Sequence, residues 1–477
     1  MTVVPRVVVS APSSGHGKTA VTVGLLAAYA ERGLDVAGFK VGPDRTDAAY
    51  LGLAAGRVGR NLDPRLVGAG RIVPLFAHGS AGAEFAVIEG TMGLFDSLGS
   101  QPETDTTASV ATALRAPVVL VIDVSATGQS VAAVVHGFRS YDELVRVGGV
   151  ILTGVASDRH EDLLREALDD IGVPVLGALR RRDLSALLPA RQHGVLPVAQ
   201  GGTEARRAVR RLGAALGAAV DLDRLLALGG TAPPLPDRTW SAADATAVPD
   251  GAADVSPVIA LAGGSALSFA YPETAELLTA AGAEVVTVDP FRDETLPPGT
   301  AALVVGGALP ESYVEELAAN RRLNAAVAAL ARAGAPVLAE GAGALWLARE
   351  FDGHPMCGVL AANGRSLGRA VIGYREAIAR ADSPVAVRGR AVTGYKDHRG
   401  VLVPRAGAVP AWGWRGGAPE GFVSGGVYAS QLVLHWAGSP GIAGRLVAAA
   451  RGHLAVTPGA PVGPLVMVVD QVREVAG

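Results

Sequence analysis

The stretch APSSGHGKTA, residues 11–20, sets a lysine and a threonine in a glycine-rich turn between an apolar run and a helical pattern. That is the setting of a phosphate loop. Backbone N–H groups of Gly15, His16 and Gly17 could cradle phosphate oxygens at the helix N-terminus. Lys18 would add a point charge, and the Thr19 hydroxyl could ligate Mg²⁺. The loop is a variant, because the strict pattern wants glycine where Pro12 stands. Acids follow at later strand ends. FKVGPDRTDAAY carries Lys40 in a strand and Asp44 and Asp47 just beyond it; VIEGTMGLFD carries Glu89 at a strand end and Asp96 in the next loop. Parallel sheets gather ligand sites at their carboxyl edge, so these residues should converge on one crevice. Hard oxygens beside a phosphate loop suit Mg–ATP, with Lys40 in reach of the γ-phosphate.

A second stretch, GAPVLAEGAGALWLARE (334–350), reads as a buried strand running through a glycine-rich turn into a helix from Ala344. Hydrolases often place a nucleophile at the apex of such a turn. Here the apex is Gly341, which has no side chain.

Short β-branched runs alternate with helical patterns through the first half: RVVVSAP, DVAGFKVG, FAVIEG, PVVLVIDV, GGVILTGV and VPVLGAL as strands, TAVTVGLLAAYAERG as a helix closed by Gly33. The strands are apolar throughout, as when helices cover both faces of a parallel sheet. A Pro/Gly/Asp/Ala-rich stretch at 229–257 reads as a linker between a domain at 1–228 and another at 258–450, with a tail at 451–477. The second domain begins as another α/β series, with one helix across 311–333. From about residue 368 the chain is rich in Val and Gly and reads as more β.

The chain has 477 residues, 49% hydrophobic and 18% charged, which suits a globular protein of two domains. A net charge of −3 gives no electrostatic case for nucleic acid or an anionic membrane, and 5% aromatic residues disfavour a base-stacking surface. One cysteine, Cys357, excludes an internal disulfide and a thiolate zinc site and fits a cytoplasmic location. The N-terminal apolar run is too short for a signal peptide, and no stretch is long enough to span a membrane.

The sequence resembles the cobyrinic acid a,c-diamide synthase family. APSSGHGKT, FKVGPD, GRNLDP, VIEGTMGLFD, APVVLVID and GVILTGVASDRHE carry the likeness in the first half. AGAEVV, LPPGTAALVVGGALPE, EFDGHPMCGV and GGVYAS carry it in the second. The resemblance implies a P-loop NTPase-like, dethiobiotin-synthetase-like first domain joined to a flavodoxin-like class I glutamine amidotransferase-like domain. It implies that ATP activates a carboxylate as an acyl phosphate, which ammonia displaces to leave an amide on the a and c acetate groups of a corrinoid. Residues matching Asp44, Asp47, Glu89 and Asp96 would bind metal and handle the phosphorylated intermediate. A homodimer is expected.

The chain departs from that family in two places. The amidotransferase pattern puts the catalytic cysteine where Gly341 stands, in Ala339-Glu340-Gly341-Ala342, and the histidine where Val433 stands, in ASQLVLHW. Both groups of the glutaminase are missing. Cys357 lies in a segment the family has besides its nucleophile and reads as a buried hydrophobe. His435 would lie roughly 6–7 Å along a strand from Val433, and Ser430 has no identified base. Lys396 replaces an acid in GYKDHRG, while GGALPE (306–311), near the family's oxyanion hole, is kept. On the substrate side, bulky apolar residues after Asp44 become Arg45 and Thr46. Arg45 could meet an additional substrate carboxylate, or the substrate is a smaller one. Three readings follow: an ATP-dependent corrinoid amidase using free ammonia or ammonia from a separate glutaminase; a paralogue amidating another carboxylic acid; and a non-catalytic partner of an active homologue.

Overall fold

The computed structural model describes residues 2–456 except 98–101, 182, 184–187, 189, 192–193, 196–197, 237, 247–254, 265–266, 268–270 and 308–311. Its first sheet has seven parallel strands: β1 (Arg6–Ser10), β2 (Val36–Val41), β3 (Arg60–Leu62), β4 (Phe85–Glu89), β5 (Val118–Asp123), β6 (Val147–Val155) and β7 (Val175–Arg180). They lie in the order β3-β2-β4-β1-β5-β6-β7. The chain leaves β1 toward β2 on one side and reaches β5 on the other, so a topological switch point falls at the end of β1. β1, β2 and β4 are buried at every residue, which is why their sequences are apolar without alternation. One apolar layer packs helix Lys18–Glu31 and helix Val198–Ala219, which is kinked at Gly202, on one face, around Leu25, Leu212 and Leu216. A small hairpin, β8 (Ala190–Arg191) and β9 (Gly194–Val195), precedes the second of these helices.

The second domain holds β10 (Val258–Ala262), β11 (Glu284–Val288), β12 (Thr300–Val305) and β13 (Val337–Glu340). The short strands β14 (Glu350–Phe351) and β15 (His354–Pro355) follow. Next come the long hairpin β16 (Asn363–Ala379) and β17 (Ala391–Val403), then β18 (Trp412–Gly413), β19 (Phe422–Ser424) and β20 (Val427–Ser430). One sheet runs β11-β10-β12-β13-β20-β19, parallel except for the β19–β20 edge; β14 to β18 make a separate mixed sheet. The apolar cluster on the other face of the first sheet continues unbroken into this domain. It joins Phe76 and Leu66 to Tyr271, Leu277 and Trp436.

Four details differ from the sequence reading. After β13 the chain forms a 3₁₀ turn, Gly341–Leu345, not an α-helix. The carbonyls of Trp346, Leu347 and Ala348 accept instead from the N–H groups of Cys357, Val359 and Gly358, so no α-helical ladder can form there. The helix over 311–333 is two helices, Val314–Ala319 and Arg321–Arg332. Asn320 divides them, its Oδ1 accepting from Leu323 N (3.2 Å) while its Nδ2 donates to the carbonyls of Pro290 and Asp293. The stretch read as a linker is pinned where it is described: Leu235 and Trp240 are buried, and Thr2 and Leu235 exchange backbone hydrogen bonds. Helix Gly441–Val456 runs past residue 450, where composition puts the start of a tail.

Candidate functional site

Gly15 and Gly17 take φ of 93° and 91°, a region that side chains other than glycine avoid, and Gly17 caps helix Lys18–Glu31. Lys18 folds back over the loop, its Nζ donating to Ser13 O (2.9 Å). Burial, then the nearby Lys40, lowers its ammonium to about 8. His16 ties the loop to the end of β5. Asp123 N donates to its Nδ1 (2.9 Å), which places the ring proton on Nε2 beside Ser13 Oγ (3.1 Å). Burial and Lys18 hold His16 below its ordinary pKa, which favours that neutral ring.

The carboxylates meet this loop from two neighbouring strands. Lys40 on β2 and Glu89 on β4 are in register, so their side chains leave the same face of the sheet. Lys40 Nζ sits 2.7 Å from Glu89 Oε1 and 2.8 Å from Asp47 Oδ2 and donates to Gly90 O (3.1 Å). Thr19 Oγ1 donates to the same Glu89 oxygen (2.6 Å) and lies 3.5 Å from Asp47 Oδ2. Glu89 is wholly buried, and its Oε2 has no hydrogen-bond partner among the described residues. Burial raises its carboxyl to about 7 against the pull of Lys40; for Lys40, Asp47, Glu89 and Asp44 outweigh burial and hold the ammonium above its usual range.

Asp44 caps helix Arg45–Ala55 by accepting from Asp47 N (3.0 Å). It is exposed to solvent yet has protein on most sides, and this desolvation with the like charge of Asp47 lifts it to about 6. Asp96 accepts from Gly93 N (2.8 Å) and is close enough to Lys18 to raise its pKa; it joins the loop's field rather than the Glu89 cluster. Asn61, in GRNLDP, is a positioning residue the sequence reading did not single out. Its amide donates to Gly42 O and Asp44 O, both at 2.8 Å, and so fixes the turn carrying Asp44. Its signal was only a buried polar residue within a motif.

Among the described residues no group of three or more His, Cys, Asp or Glu side chains is arranged to hold a metal by itself. Magnesium bound with nucleotide phosphates uses one or two carboxylates and keeps several waters. The Thr19 hydroxyl, the unpartnered Glu89 oxygen and Asp47 offer hard donors of that kind.

In the second domain the turn survives without its nucleophile. Gly341 has φ 63°, and a Cβ built there would lie 2.7 Å from Val433 Cγ2 and 3.1 Å from Gly307 Cα. Val433 therefore fills space beside the apex, held by backbone bonds in both directions with Tyr395 (2.8 and 2.9 Å). Glu340, just before the apex, is buried; Trp436 Nε1 donates to it (3.3 Å), and burial raises its carboxyl to about 8. His435 does not join the seat. It stacks on Tyr271 at 4.1 Å, its Nε2 lies 3.7 Å from Glu273, and burial keeps it neutral at ordinary pH.

Ser430 Oγ donates to Glu420 (2.9 Å) and accepts from Leu432 N (3.0 Å), so it is spent on structure. Cys357 is buried with Sγ 3.5 Å from Asn324 Oδ1, and burial raises its thiol well above the usual value. Lys396 is buried over the Trp414 ring at 4.7 Å, 4.0 Å from Glu420. Gly306 and Gly307 of GGALPE border the seat; the other four residues of that stretch lie outside the described residues. Arg45, from the first domain, reaches the same neighbourhood: its guanidinium lies 5.5 Å over Tyr271, and a Cβ on Gly307 would be 3.5 Å from both Arg45 Nη2 and Gly341 Cα.

A parallel sheet with a phosphate loop at its switch point, followed by an amidotransferase-type strand and turn, defines a nucleotide-binding domain joined to an amidotransferase-like one. Residues 7–195 match the CobQ/CobB/MinD/ParA nucleotide binding domain, and residues 258–439 match the CobB/CobQ-like glutamine amidotransferase domain. The hydrogenobyrinate a,c-diamide synthase of Streptomyces coelicolor is 51% identical over 93% of this chain and 97% of its own. That of Mycobacterium tuberculosis is 45% identical over 93% and 98%. The cobyrinate a,c-diamide synthase of Gloeobacter violaceus is 38% identical over 90% and 93%. The chain belongs to the cobyrinate and hydrogenobyrinate a,c-diamide synthase family. No described helix is long and apolar enough to cross a membrane.

Proposed function

We propose that this protein is an ATP-dependent amide synthase that converts carboxylates of a corrinoid acid to amides through an acyl phosphate, and that it takes ammonia from solution or from a separate glutaminase. The carrying observation is the convergence of Thr19 and Lys40 on Glu89, with Asp47 paired to the same Lys40, at the mouth of the phosphate loop. A buried charge cluster of this kind is expensive to keep and has no structural need to sit beside Gly15–Thr19. It also speaks against a non-catalytic partner, in which such a cluster would have no use.

The nucleotide would supply the phosphoryl group, and magnesium the charge neutralisation that lets two anions approach. Lys18 and Lys40 hold positive charge where phosphate oxygens would lie. Thr19, Asp47 and Glu89 would hold the metal. Asp44 and Asp96 orient the reacting groups, and Asn61 keeps Asp44 in place. Two amides on one acid, as the relatives' names state for theirs, need the same site twice.

Glutamine hydrolysis needs a nucleophile and a proton carrier. Gly341 and Val433 provide neither, Cys357 is buried with a raised thiol pKa, and Ser430 is engaged by Glu420. The test is product formation from hydrogenobyrinate and ATP with ammonium or with glutamine, using substrate labelled with oxygen-18 in its carboxylates. Label in inorganic phosphate and amide formed with ammonium alone support the reading. Label in AMP excludes an acyl phosphate, and glutamate released from glutamine at an enzymatic rate excludes the loss of the glutaminase.

A further inference from the structure

Beside the candidate synthetase site lies a cavity of about 570 Å³, of a size that takes small organic ligands. Three arginines, Arg45, Arg57 and Arg206, line it together with apolar groups such as Leu53 and Pro272, and among the described residues no acidic side chain lines it. Its floor is close-packed backbone: a Cβ on Gly59 would come within 1.9 Å of Ala48 O, so the loop after helix Arg45–Ala55 lies directly on that helix. One end adjoins Asn61, whose amide holds the Asp44 carbonyl. The cavity therefore starts next to the turn that carries Asp44 and runs outward to Arg206 on helix Val198–Ala219.

The three cations are held in different ways. Arg57 is anchored, its Nη2 donating to Gly79 O (3.2 Å) and Ala81 O (2.9 Å), which fixes the direction of its remaining donors. Arg45 lies against the Tyr271 ring at the domain boundary. Arg206 is exposed. We infer that this cleft binds carboxylates of the substrate other than the one reacting, and that Arg45, Arg57 and Arg206 select for an apolar scaffold carrying several acid groups. The inference rests on the amidation reading above and names how that site recognises its acid.

While one carboxylate stands at the phosphate loop, any others on the same molecule are ionised at neutral pH and lose water as the scaffold docks. They need partners, and a guanidinium offers paired donors that match a carboxylate. A monocarboxylic acid would forgo these additional contacts, and a cationic substrate would be repelled.

The test uses the full chain with hydrogenobyrinate, ATP and ammonium. Arg206→Glu, an exposed change that leaves the core alone, is expected to raise KM for hydrogenobyrinate about tenfold while kcat and KM for ATP stay within twofold. Arg206→Lys should fall between. Arg45→Ala should raise the same KM, and added salt should raise KM for the wild type more than for Arg206→Glu. If wild type turns over but KM for hydrogenobyrinate is unchanged in folded Arg206→Glu and Arg45→Ala, the inference is overturned and the amidation reading stands. If wild type neither binds nor amidates hydrogenobyrinate, both are overturned.

Discussion

The two halves of this molecule place a strand, a tight glycine turn and a candidate chemical centre in similar ways, and they have met different fates. At the end of β1 and β4 the polar groups engage one another: Thr19 and Lys40 meet at one oxygen of buried Glu89, and Asp47 pairs with the same Lys40. At the end of β13 the backbone still takes the left-handed turn at Gly341, yet the groups around it are Val433, Gly307 and a neutralised Glu340. Backbone geometry is maintained by packing, so a turn of this shape needs no reactive side chain at its apex to persist. A buried cluster of charges has no such support and persists where something uses it.

Breaking the first centre should give the largest effect. Lys18→Ala should weaken Mg–ATP binding by about 100-fold in calorimetry, and Glu89→Gln should lower kcat for amide formation by about 10²–10³, since a preorganised charge in a dry site is lost. Near-wild-type values in folded variants would erase the contrast between the halves. The second centre should respond to repair with strain. Gly341→Cys alone places a side chain at φ 63° against Val433 and should lose about 1–3 kcal/mol of stability in urea unfolding while releasing no glutamate from glutamine. Pairing it with Val433→His removes the valine methyls, and a gain in glutaminase rate would mean that the rest of the pocket is intact.

A smaller effect concerns Glu340. Its native pKa, near 8, exceeds the ordinary 4.5, so the folded state keeps a proton that the unfolded state has released. The stability this gives is complete below about 4.5 and is lost as pH rises toward 8, by at most about 1.4 kcal/mol per pH unit. Glu340→Gln should remove the slope, so its advantage over wild type in urea unfolding should grow between pH 5 and 8. A constant difference would mean that Glu340 is ionised in the native protein. The smallest effect is Cys357→Ala: about 1 kcal/mol of stability from a lost buried group, and unchanged amide formation.

Much of this was readable in advance, for local reasons. Unbroken apolar runs gave the parallel strands, and the glycine spacing of residues 15–17 gave the loop, because both patterns act within a few residues. The Lys40–Glu89 pairing depends on strand register across 49 residues, so the sequence located the residues without their partnership. Asn61 was not distinguished because its role is to hold carbonyls 17 and 19 residues away. The helix expected after Gly341 failed because backbone donors at 357–359 capture its carbonyls, and the helix before it was cut by the side chain of Asn320. His435 was weighed as a spare base near Val433, but the chain leaves β20 before reaching it, and the ring turns to Tyr271.

The apolar cluster that passes from Phe76 and Leu66 into Tyr271 and Trp436 has a consequence for how the gene can change. Arg60 is paired across the same boundary with Glu273 and Glu276, so polar and apolar contacts are shared by both halves. A deletion that removed residues 258–456 would uncover the helix carrying Leu66 and leave Arg60 without its counter-charges. The two halves therefore share one packed boundary, and a change that removes either half exposes apolar surface and unpairs charge in the other.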